Sequence, residues 1–258
     1  MKTTAIICEF NPLHSGHKKL LDYAKTFSDK VICIMSGNFT QRGLPACADK
    51  FSRSTHAIKA GADMVVELPT VFATASAENF ALGGVKIAQE LNVDYLLFGS
   101  ECGDIHQIKN FAESLDDVEI NEKIAREVKN GVSYPKAVFL ATRSKILESP
   151  NNVLAIEYVR AIQKLKSRIE PITLKRENNY NGEANAYASS NALRANKSLR
   201  SVYSYDYVRK DIDDEVENKF CSFATYFMSL ASPHQLERIE GVNEGLENRI
   251  YNADKSMG

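Results

Sequence analysis

Residues 3–20 read TTAIICEFNPLHSGHKKL. The run Thr4–Cys8 is apolar and partly β-branched, which favours a buried strand. The segment Gly16–Thr26 repeats its apolar residues at helical spacing, which favours an amphipathic helix. A polar turn with two histidines therefore lies between a strand and a helix, at the edge where open α/β sheets hold their ligands.

The same alternation continues through the first hundred residues. Further apolar runs lie at Val31–Met35, Met64–Leu68 and Tyr95–Phe98, and amphipathic segments lie at Asp49–Ala60 and Ser76–Leu91. Strands and helices in this order predict right-handed βαβ units. Because the strands are continuous apolar runs, we expect a parallel sheet that is covered on both faces.

The pattern changes at Ile105, where helical periodicity begins to dominate. One more strand is predicted at Ile169–Leu174. The polar residues 178–185 predict a loop, and the serine pair that follows predicts the cap of a helix beginning near Asn191. After Arg200 the chain is charged and predicted to be helical. The helices predicted before the last strand are Ile105–Leu115, Asn121–Lys129, Tyr134–Leu147 and Asn152–Lys166.

The composition argues against several classes of protein. The chain has 258 residues, 44% of them hydrophobic and 25% charged, and its net charge of -1 gives no global signal for a nucleic acid or a membrane. Five cysteines without a CxxC spacing argue against a disulfide framework or a structural zinc site. The first residues lack the apolar run of a signal peptide, and no stretch has the length of a membrane span. We therefore expect a cytoplasmic protein with reduced thiols and no membrane partner.

Two histidines flank a glycine in the order His14-Ser15-Gly16-His17. At a helix N-terminus, free N–H groups and the helix dipole favour phosphate, and imidazole groups can stabilise charge that develops on a triphosphate. The alternative is a loop with two solvated histidines, which is the commoner explanation of an isolated HxGH sequence. The position directly after a buried strand, with Asn11-Pro12 just before it, favours the phosphate site.

These residues carry a family resemblance. Ile6–Leu20 resembles the first signature of the HIGH nucleotidyltransferases, and Glu9–His17 is similar to that of one branch, the bacterial tRNA(Met) cytidine acetate ligases. The resemblance runs from Met1 to about Ile250, and several motifs in the right order are more specific than any one of them. The further matches are residues 36–43 (SGNFTQRG), Asp49-Lys50 with Arg53, and residues 61–63 (GAD), 67–69 (ELP), 76–78 (SAE), 98–101 (FGSE) and 149–152 (SPNN).

The segment Ser189–Arg194 resembles the second signature of the superfamily, a serine pair followed by an arginine at the start of a helix. Serine hydroxyls at such a position can bind phosphate oxygens, and Arg194 can form a forked contact with the leaving pyrophosphate. The alternative is an ordinary serine cap with a surface arginine. The presence of the first signature in the same chain favours the phosphate role.

The loop Ser36–Gly43 follows the second predicted strand and is flanked by glycines. In the family this region lies near the substrate, and it can act as a mobile lid. Arg42, Lys50 and Arg53 could offset triphosphate charge or hold a carboxylate. A solvated helix face is an equal alternative for Lys50 and Arg53.

Gly99-Ser100-Glu101 follows the fourth predicted strand, where adenine or ribose can lie against a glycine backbone. The resemblance implies that Asn152 and Arg176 also contact ATP, which their spacing does not indicate. The alternative for Asn152 is a helix cap after Pro150. The alternative for Arg176 is one charge within a charged run.

Three sets of site residues follow from the chemistry and the resemblance. The residues predicted to act in catalysis are His14, His17, Ser190 and Arg194. The residues predicted to bind ATP are Ile7, Cys8, Glu9, Phe10, Asn11, Pro12, Leu13, His14, Ser15, Gly16, His17, Lys18, Lys19, Leu20, Gly99, Asn152, Arg176 and Ser189. The residues predicted to contact the substrate are Ser36, Asn38, Gln41, Arg42, Lys50 and Arg53, and no metal ligand is predicted.

The resemblance also implies a reaction. ATP and acetate would form acetyl-adenylate and pyrophosphate, and the acetyl group would then pass to the wobble cytidine of elongator tRNA(Met). Mg²⁺ is expected with the triphosphate, because divalent ions bridge phosphate oxygens. Such an enzyme needs position and charge stabilisation rather than an acyl nucleophile of its own.

The implied organisation is α/β: a Rossmann-like HIGH nucleotidyltransferase domain with a parallel sheet over residues 1–200, and a helical C-terminal region over residues 201–258. Chains of the branch usually continue through a larger helical part, so we expect this region to be incomplete and tRNA binding to be weakened. Two other functions stay open. One is a nucleotidyltransferase that acts on a phosphorylated small molecule, and the other is a non-catalytic RNA-binding protein on this fold.

Overall fold

The computed structural model describes residues 1–176, 188–239, 241–242 and 245–255. The loop predicted at residues 178–185 lies outside the described residues. Five strands form one sheet: β1 Thr3–Cys8, β2 Lys30–Ser36, β3 Met64–Leu68, β4 Tyr95–Ser100 and β5 Glu170–Lys175. Every pairing in the sheet is parallel, and the strand order is β3-β2-β1-β4-β5. The predicted parallel α/β sheet is thus confirmed.

Helices connect the strands and extend beyond the sheet. Those up to the fifth strand are α1 Ser15–Lys25, α2 Lys50–Lys59, α3 Thr70–Ala73, α4 Ala77–Glu90, α5 Ile105–Ser114, α6 Val118–Lys129, α7 Tyr134–Thr142 and α8 Pro150–Lys164. Those after it are α9 Ser190–Ala195, α10 Lys197–Tyr203, α11 Asp206–Arg209, α12 Val216–Leu230, α13 Pro233–Leu236 and α14 Leu246–Lys255.

The single helix predicted at Tyr134–Leu147 is divided. Arg143 ends α7 in the left-handed region, with φ 49°, and a short 3-10 turn follows at Lys145–Glu148. The next helix, α8, begins at Pro150, two residues before the predicted start at Asn152. Pro150 occupies the first turn, and Ser149 makes no side-chain capping bond.

The sheet separates two clusters of buried side chains. Ile7, Ile34 and Phe98 face one cluster, which α4 and α8 complete. Ile6, Cys33 and Leu97 face the other, which includes residues of α1 and α2. Both faces of the sheet are therefore covered, which explains why the strands are continuous apolar runs.

The chain divides into two compact units, Met1–Ile212 and Asp213–Gly258. The first unit contains the sheet and extends past the predicted boundary at residue 200, because α10 and α11 are tied to it. Ser204 Oγ donates to the Leu13 carbonyl over 3.1 Å, and His56 Nε2 lies 2.8 Å from Asp211 Oδ2. The described part of the second unit is helical. Within the described residues, no helix is long and apolar enough to cross a membrane.

Candidate active site

The first signature lies at the point where the order of strands along the sheet reverses, between β1 and β4. From β1 the chain proceeds outward through β2 and β3, and it then returns to β4 on the other side of β1. In open parallel sheets, the crevice at the carboxyl ends of two such strands is the usual ligand site. Here the segment Glu9–His17 follows β1 and the segment Glu101–Gly103 follows β4, so both border that crevice.

The turn after β1 is held by side chains rather than by regular backbone pairing. Phe10 is buried with φ 45°, and the Asn11 side chain accepts a 2.7 Å hydrogen bond from Cys47 N–H. His14 is the N-cap of α1, and its Nδ1 accepts a 3.1 Å hydrogen bond from Gly16 N–H. Because Nδ1 accepts this bond, the proton of the neutral ring resides on Nε2, which is left as a donor.

The rings of His14 and His17 stack, with centroids 3.7 Å apart, and Phe10 packs against His17 at 4.9 Å. Burial and the nearby Arg176 charge lower the pKa of His14 from 6.5 to about 3. Burial, followed by the His14 and Arg176 charges, lowers the pKa of His17 well below its ordinary value. Both rings are therefore neutral near pH 7, and each supplies one N–H donor.

The same turn carries further polar atoms that are free to meet a ligand. Among the described residues, Ser15 Oγ and His17 Nδ1 are buried without a hydrogen-bond partner. A buried polar atom left unpaired costs free energy, so native proteins usually pair it with solvent, an ion or a ligand. Together with the open N-terminus of α1, these atoms form a polar surface suited to phosphate oxygens.

Arg176 brings a positive charge to the other side of the crevice. Its backbone N–H donates to the Ser100 carbonyl over 2.9 Å, which extends the pairing of β5 with β4. Its side chain lies over Gly99, where an added Cβ would come within 3.2 Å of Arg176 Cγ. Burial lowers the pKa of Arg176, and Glu101 opposes that effect. The glycine thus allows the guanidinium stem to cross the end of β4.

Asn152 holds the loop after β4. Its Oδ1 accepts hydrogen bonds from the backbone N–H groups of Glu101 and Cys102, over 2.9 and 3.1 Å. In return, Glu101 accepts from Asn152 N–H over 3.1 Å and from the Asn151 side chain over 2.6 Å. Glu101 therefore caps α8 in place of Ser149, and the Asn152 amide joins α8 to the edge of the crevice.

The two signatures, distant in sequence, are in direct contact. Ser190 Oγ donates to the Pro12 carbonyl over 3.1 Å, and Arg194 Nη1 donates to the Asn11 carbonyl. Arg194 Nη2 donates to Asn191 Oδ1 over 2.6 Å. Ser189 is the N-cap of α9 and accepts from Ala192 N–H over 3.2 Å, which matches the capping alternative for this residue.

Several other residues predicted to bind ATP pack in the core or lie on the surface of α1. Ile7 packs on the face that α4 covers, where its Cδ1 lies within 2.5 Å of a Cβ added at Gly84. Cys8 and Leu20 are half-buried against the other cluster. Burial raises the pKa of the Cys8 thiol well above its ordinary value. Lys18 pairs with Asp22 on the surface of α1. Side-chain contact of these residues with a ligand stays a prediction.

Arg53 differs most from expectation. It is 1% exposed, and among the described residues its guanidinium donates only to backbone carbonyls: Glu9 over 2.5 Å, Ala48 over 3.0 Å, and Ser36 over 3.1 Å together with Gly37. These four bonds occupy most of its five N–H groups. Arg53 therefore ties the ends of β1 and β2 to the following loop, and it does not lie on a solvated helix face. Its contact with a substrate stays a prediction.

The other predicted substrate residues surround that loop. Lys50 pairs with Glu67 over 2.7 and 3.0 Å, and its backbone N–H donates to Asn38 Oδ1 over 3.0 Å. Gln41 N–H donates to Glu9 Oε1 over 2.8 Å, which joins the loop to the first signature. Arg42 is exposed, and Ser36 is buried with its Oγ unpaired among the described residues. Their contact with a substrate stays a prediction.

Two more residues of the site were not among the predicted site residues. Asn191 orients Arg194, and helical spacing of three residues could have indicated that contact. Ser204 bonds to the first signature from 191 positions away, and no local pattern indicates it. No group of three or more histidine, cysteine, aspartate or glutamate side chains in the described part of the chain could hold a metal ion.

Comparison with known proteins identifies the family. A family described as HIGH Nucleotidyl Transferase matches residues 1–258. The tRNA(Met) cytidine acetate ligase of Clostridium perfringens is 38% identical over 283 residues, covering 97% of this chain and 70% of the relative. The tRNA(Met) cytidine acetate ligase of Acetivibrio thermocellus is 37% identical over 292 residues, covering 100% of this chain and 70% of the relative. The chain belongs to the tRNA(Met) cytidine acetate ligase family.

A solved structure of the family supports the same conclusion. Thermotoga maritima TmcAL bound with alpha-thio ATP superposes with a TM-score of 0.85 and 31% identity, over 100% of this chain and 68% of that one. The apo form of Thermotoga maritima TmcAL superposes with a TM-score of 0.83 and 30% identity. The predicted HIGH nucleotidyltransferase fold and the predicted tRNA(Met) cytidine acetate ligase family are thus confirmed.

Proposed function

We propose that this chain activates acetate with ATP and transfers the acetyl group to the wobble cytidine of elongator tRNA(Met). The observation that carries the proposal is the neutral His14–His17 pair at the N-terminus of α1, in the crevice between β1 and β4. Family membership and the ATP analogue bound by Thermotoga maritima TmcAL support ATP as the nucleotide.

The triphosphate would lie over the N-terminus of α1. Ser15 Oγ and the imidazole N–H groups would donate to phosphate oxygens, and the helix dipole would favour their negative charge. The adenosine would lie along the end of β4, next to the Arg176 side chain that crosses Gly99. Arg176 would neutralise charge from the opposite side. Mg²⁺ would arrive with ATP as part of the substrate, because the described residues offer no carboxylate cage.

The first step needs no protein nucleophile. A carboxylate oxygen of acetate attacks the α-phosphorus, the bond to the bridging oxygen breaks, and pyrophosphate leaves with the electron pair. Negative charge grows on the phosphate oxygens, and preorganised donors lower that barrier without reorganising. Arg194 lies next to the site on the Asn11 carbonyl, and we propose that it exchanges this contact for pyrophosphate when ATP binds.

The second step joins the activated acetyl group to an amine. The exocyclic nitrogen of cytidine attacks the acyl carbon of acetyl-adenylate, and AMP leaves. The basic positions proposed to contact tRNA are Lys166, Arg168, Lys175, Arg176, Lys197 and Arg200. Of these, Arg200 is 7% exposed and donates to the Leu193 and Arg194 carbonyls over 2.7 and 3.2 Å. It therefore joins α9 to α10, and the proposed tRNA contact rests on the other five positions.

Aromatic stacking on an anticodon base would need an accessible ring. Tyr205 and Tyr207 stack on each other at 5.3 Å and pack against the core cluster that includes α1 and α2. This packing indicates a structural role for both tyrosines. In this proposal, contacts between basic side chains and the phosphates of the tRNA backbone therefore supply most of the affinity.

Exchange of labelled pyrophosphate into ATP tests the first step directly. The proposal expects exchange that depends on acetate and proceeds without tRNA. Exchange with a phosphorylated small molecule but not with acetate would favour the other nucleotidyltransferase function, and ATP-independent tRNA binding without exchange would favour an RNA-binding protein. The exposed His106→Asn variant serves as a control and should exchange as the parent does.

A further inference from the structure

Three consecutive carbonyls of the first signature accept hydrogen bonds from side chains of residues 190–204. The Asn11 and Pro12 carbonyls are held by Arg194 and Ser190, and the Leu13 carbonyl is held by Ser204 Oγ over 3.1 Å. Ser190 and Arg194 lie in the segment Ser189–Arg194, which resembles the second signature. Ser204 lies outside that segment, and it is 8% exposed.

The Leu13–His14 peptide makes the Ser204 bond consequential. This peptide is trans, because the cis bond of the turn is Asn11–Pro12. In a trans peptide the C=O and N–H groups point in opposite directions. With the Leu13 carbonyl bonded to Ser204, the His14 N–H points away from Ser204, and it has no hydrogen-bond partner among the described residues. It is the free amide of the α1 N-cap.

Ser204 is itself fixed from both sides. Its N–H donates to the Arg200 carbonyl over 3.0 Å, and its carbonyl accepts from Arg209 Nη1 over 3.0 Å. Arg200 in turn donates to the Leu193 and Arg194 carbonyls. The hydroxyl therefore sits on a rigid support that joins α9, α10 and α11, and it can hold the peptide in one orientation.

We infer that Ser204 is a positioning residue for ATP, which orients the Leu13–His14 peptide so that the His14 N–H is presented to the phosphates. This inference rests on the proposed function, because it assumes that phosphate meets the N-terminus of α1. Without the hydroxyl, the Leu13 carbonyl loses its donor and the peptide is free to rotate. A carbonyl turned towards the phosphates would repel them, and the amide donor would be lost.

Three variants separate positioning from folding. Ser204→Ala removes the hydroxyl, and Ser204→Thr keeps it. The backbone at Ser204 is extended, with φ -125° and ψ 163°, which a β-branched residue adopts readily. Ser201→Ala is the matched control, because that exposed hydroxyl bonds within its own helix to the Ser198 carbonyl over 2.9 Å. Each variant is titrated with Mg–ATP by calorimetry and assayed for acetate-dependent pyrophosphate exchange.

We expect Ser204→Ala to raise the Kd and KM for ATP about tenfold, a smaller effect than the ~10²–10³-fold loss for a donor that contacts the reacting group. The KM for acetate should not change, and Ser204→Thr and Ser201→Ala should match the parent. In ¹⁵N spectra, the ATP-induced shift of the His14 amide should shrink in Ser204→Ala only.

Unchanged ATP affinity in Ser204→Ala would overturn the inference. Equal losses of ATP affinity in Ser204→Ala and Ser204→Thr would also overturn it. So would an ATP affinity that recovers to the parent's value when the assay is cooled below the variant's unfolding transition. If the parent binds ATP but shows no acetate-dependent exchange, the proposed function fails while the comparison of ATP affinities still decides the role of Ser204. A parent that does not bind ATP would overturn both.

Discussion

The His14 imidazole predicts a specific dependence of stability on pH. Its pKa is about 3 in the folded protein, against an ordinary value of 6.5. Below about pH 6.5 the unfolded chain binds a proton at this position, and the folded chain does not bind it until about pH 3. The free energy of unfolding therefore falls as the pH falls through this window, and His17 acts in the same direction.

The separation of about 3.5 pH units corresponds to about 5 kcal/mol over the whole window. Between about pH 7.5 and about pH 5, His14 alone accounts for about 2 kcal/mol. The His14 side chain is 2% exposed, so solvent screens this effect little. A loss of that size is a large fraction of the stability of an ordinary domain.

Urea unfolding at the two pH values measures this loss, in the parent and in His14→Asn. Asparagine is a favoured N-cap, so it can accept from Gly16 N–H without titrating. We expect the variant to lose about 2 kcal/mol less than the parent on acidification. The exposed His106→Asn variant should behave as the parent does. Equal losses in the parent and in His14→Asn would refute the assignment of a buried neutral imidazole.

Three further outcomes follow from the site. His17→Ala should slow pyrophosphate exchange by ~10²–10³-fold, the loss expected for one preorganised donor, and an unchanged rate would exclude that role. Arg194→Lys should not keep the parent's rate of pyrophosphate release, because an ammonium group cannot make the forked contact. Stopped-flow detection of pyrophosphate measures that rate, and a large drop in the variant's melting temperature would instead make Arg194 structural. Labelled tRNA(Met) should bind with an affinity that falls steeply with added salt, because contacts with backbone phosphates dominate the proposed interface, and tight salt-tolerant binding in the same titration would contradict that dominance.

The sheet could be predicted because its signals are local. Each strand is a short apolar run, and Met64–Leu68 coincides with the predicted segment. Local patterns do not specify where a helix ends without glycine or proline. Arg143 ends α7 in a left-handed conformation that an arginine rarely adopts, and the sequence therefore predicted one continuous helix.

The site divides in the same way. The placement of His14 and His17 at the start of α1 could be predicted, because they lie between a predicted strand and a predicted helix. Arg53 could not, because its partners come from three separate segments that only the fold brings together. An arginine on an amphipathic segment predicts a ligand or a solvated face, and burial against carbonyls has no local signature. Ser204 is the same case, since its partner Leu13 lies near the other end of the unit.

The central claim is that acetate itself attacks the α-phosphorus of ATP in this chain. The most direct test supplies acetate labelled with ¹⁸O in both oxygens, together with ATP and tRNA(Met), and measures the mass of the AMP formed. The AMP should carry one ¹⁸O, because the attacking oxygen stays on phosphorus when the acyl carbon is transferred. Unlabelled AMP, or ADP as the product, would contradict it.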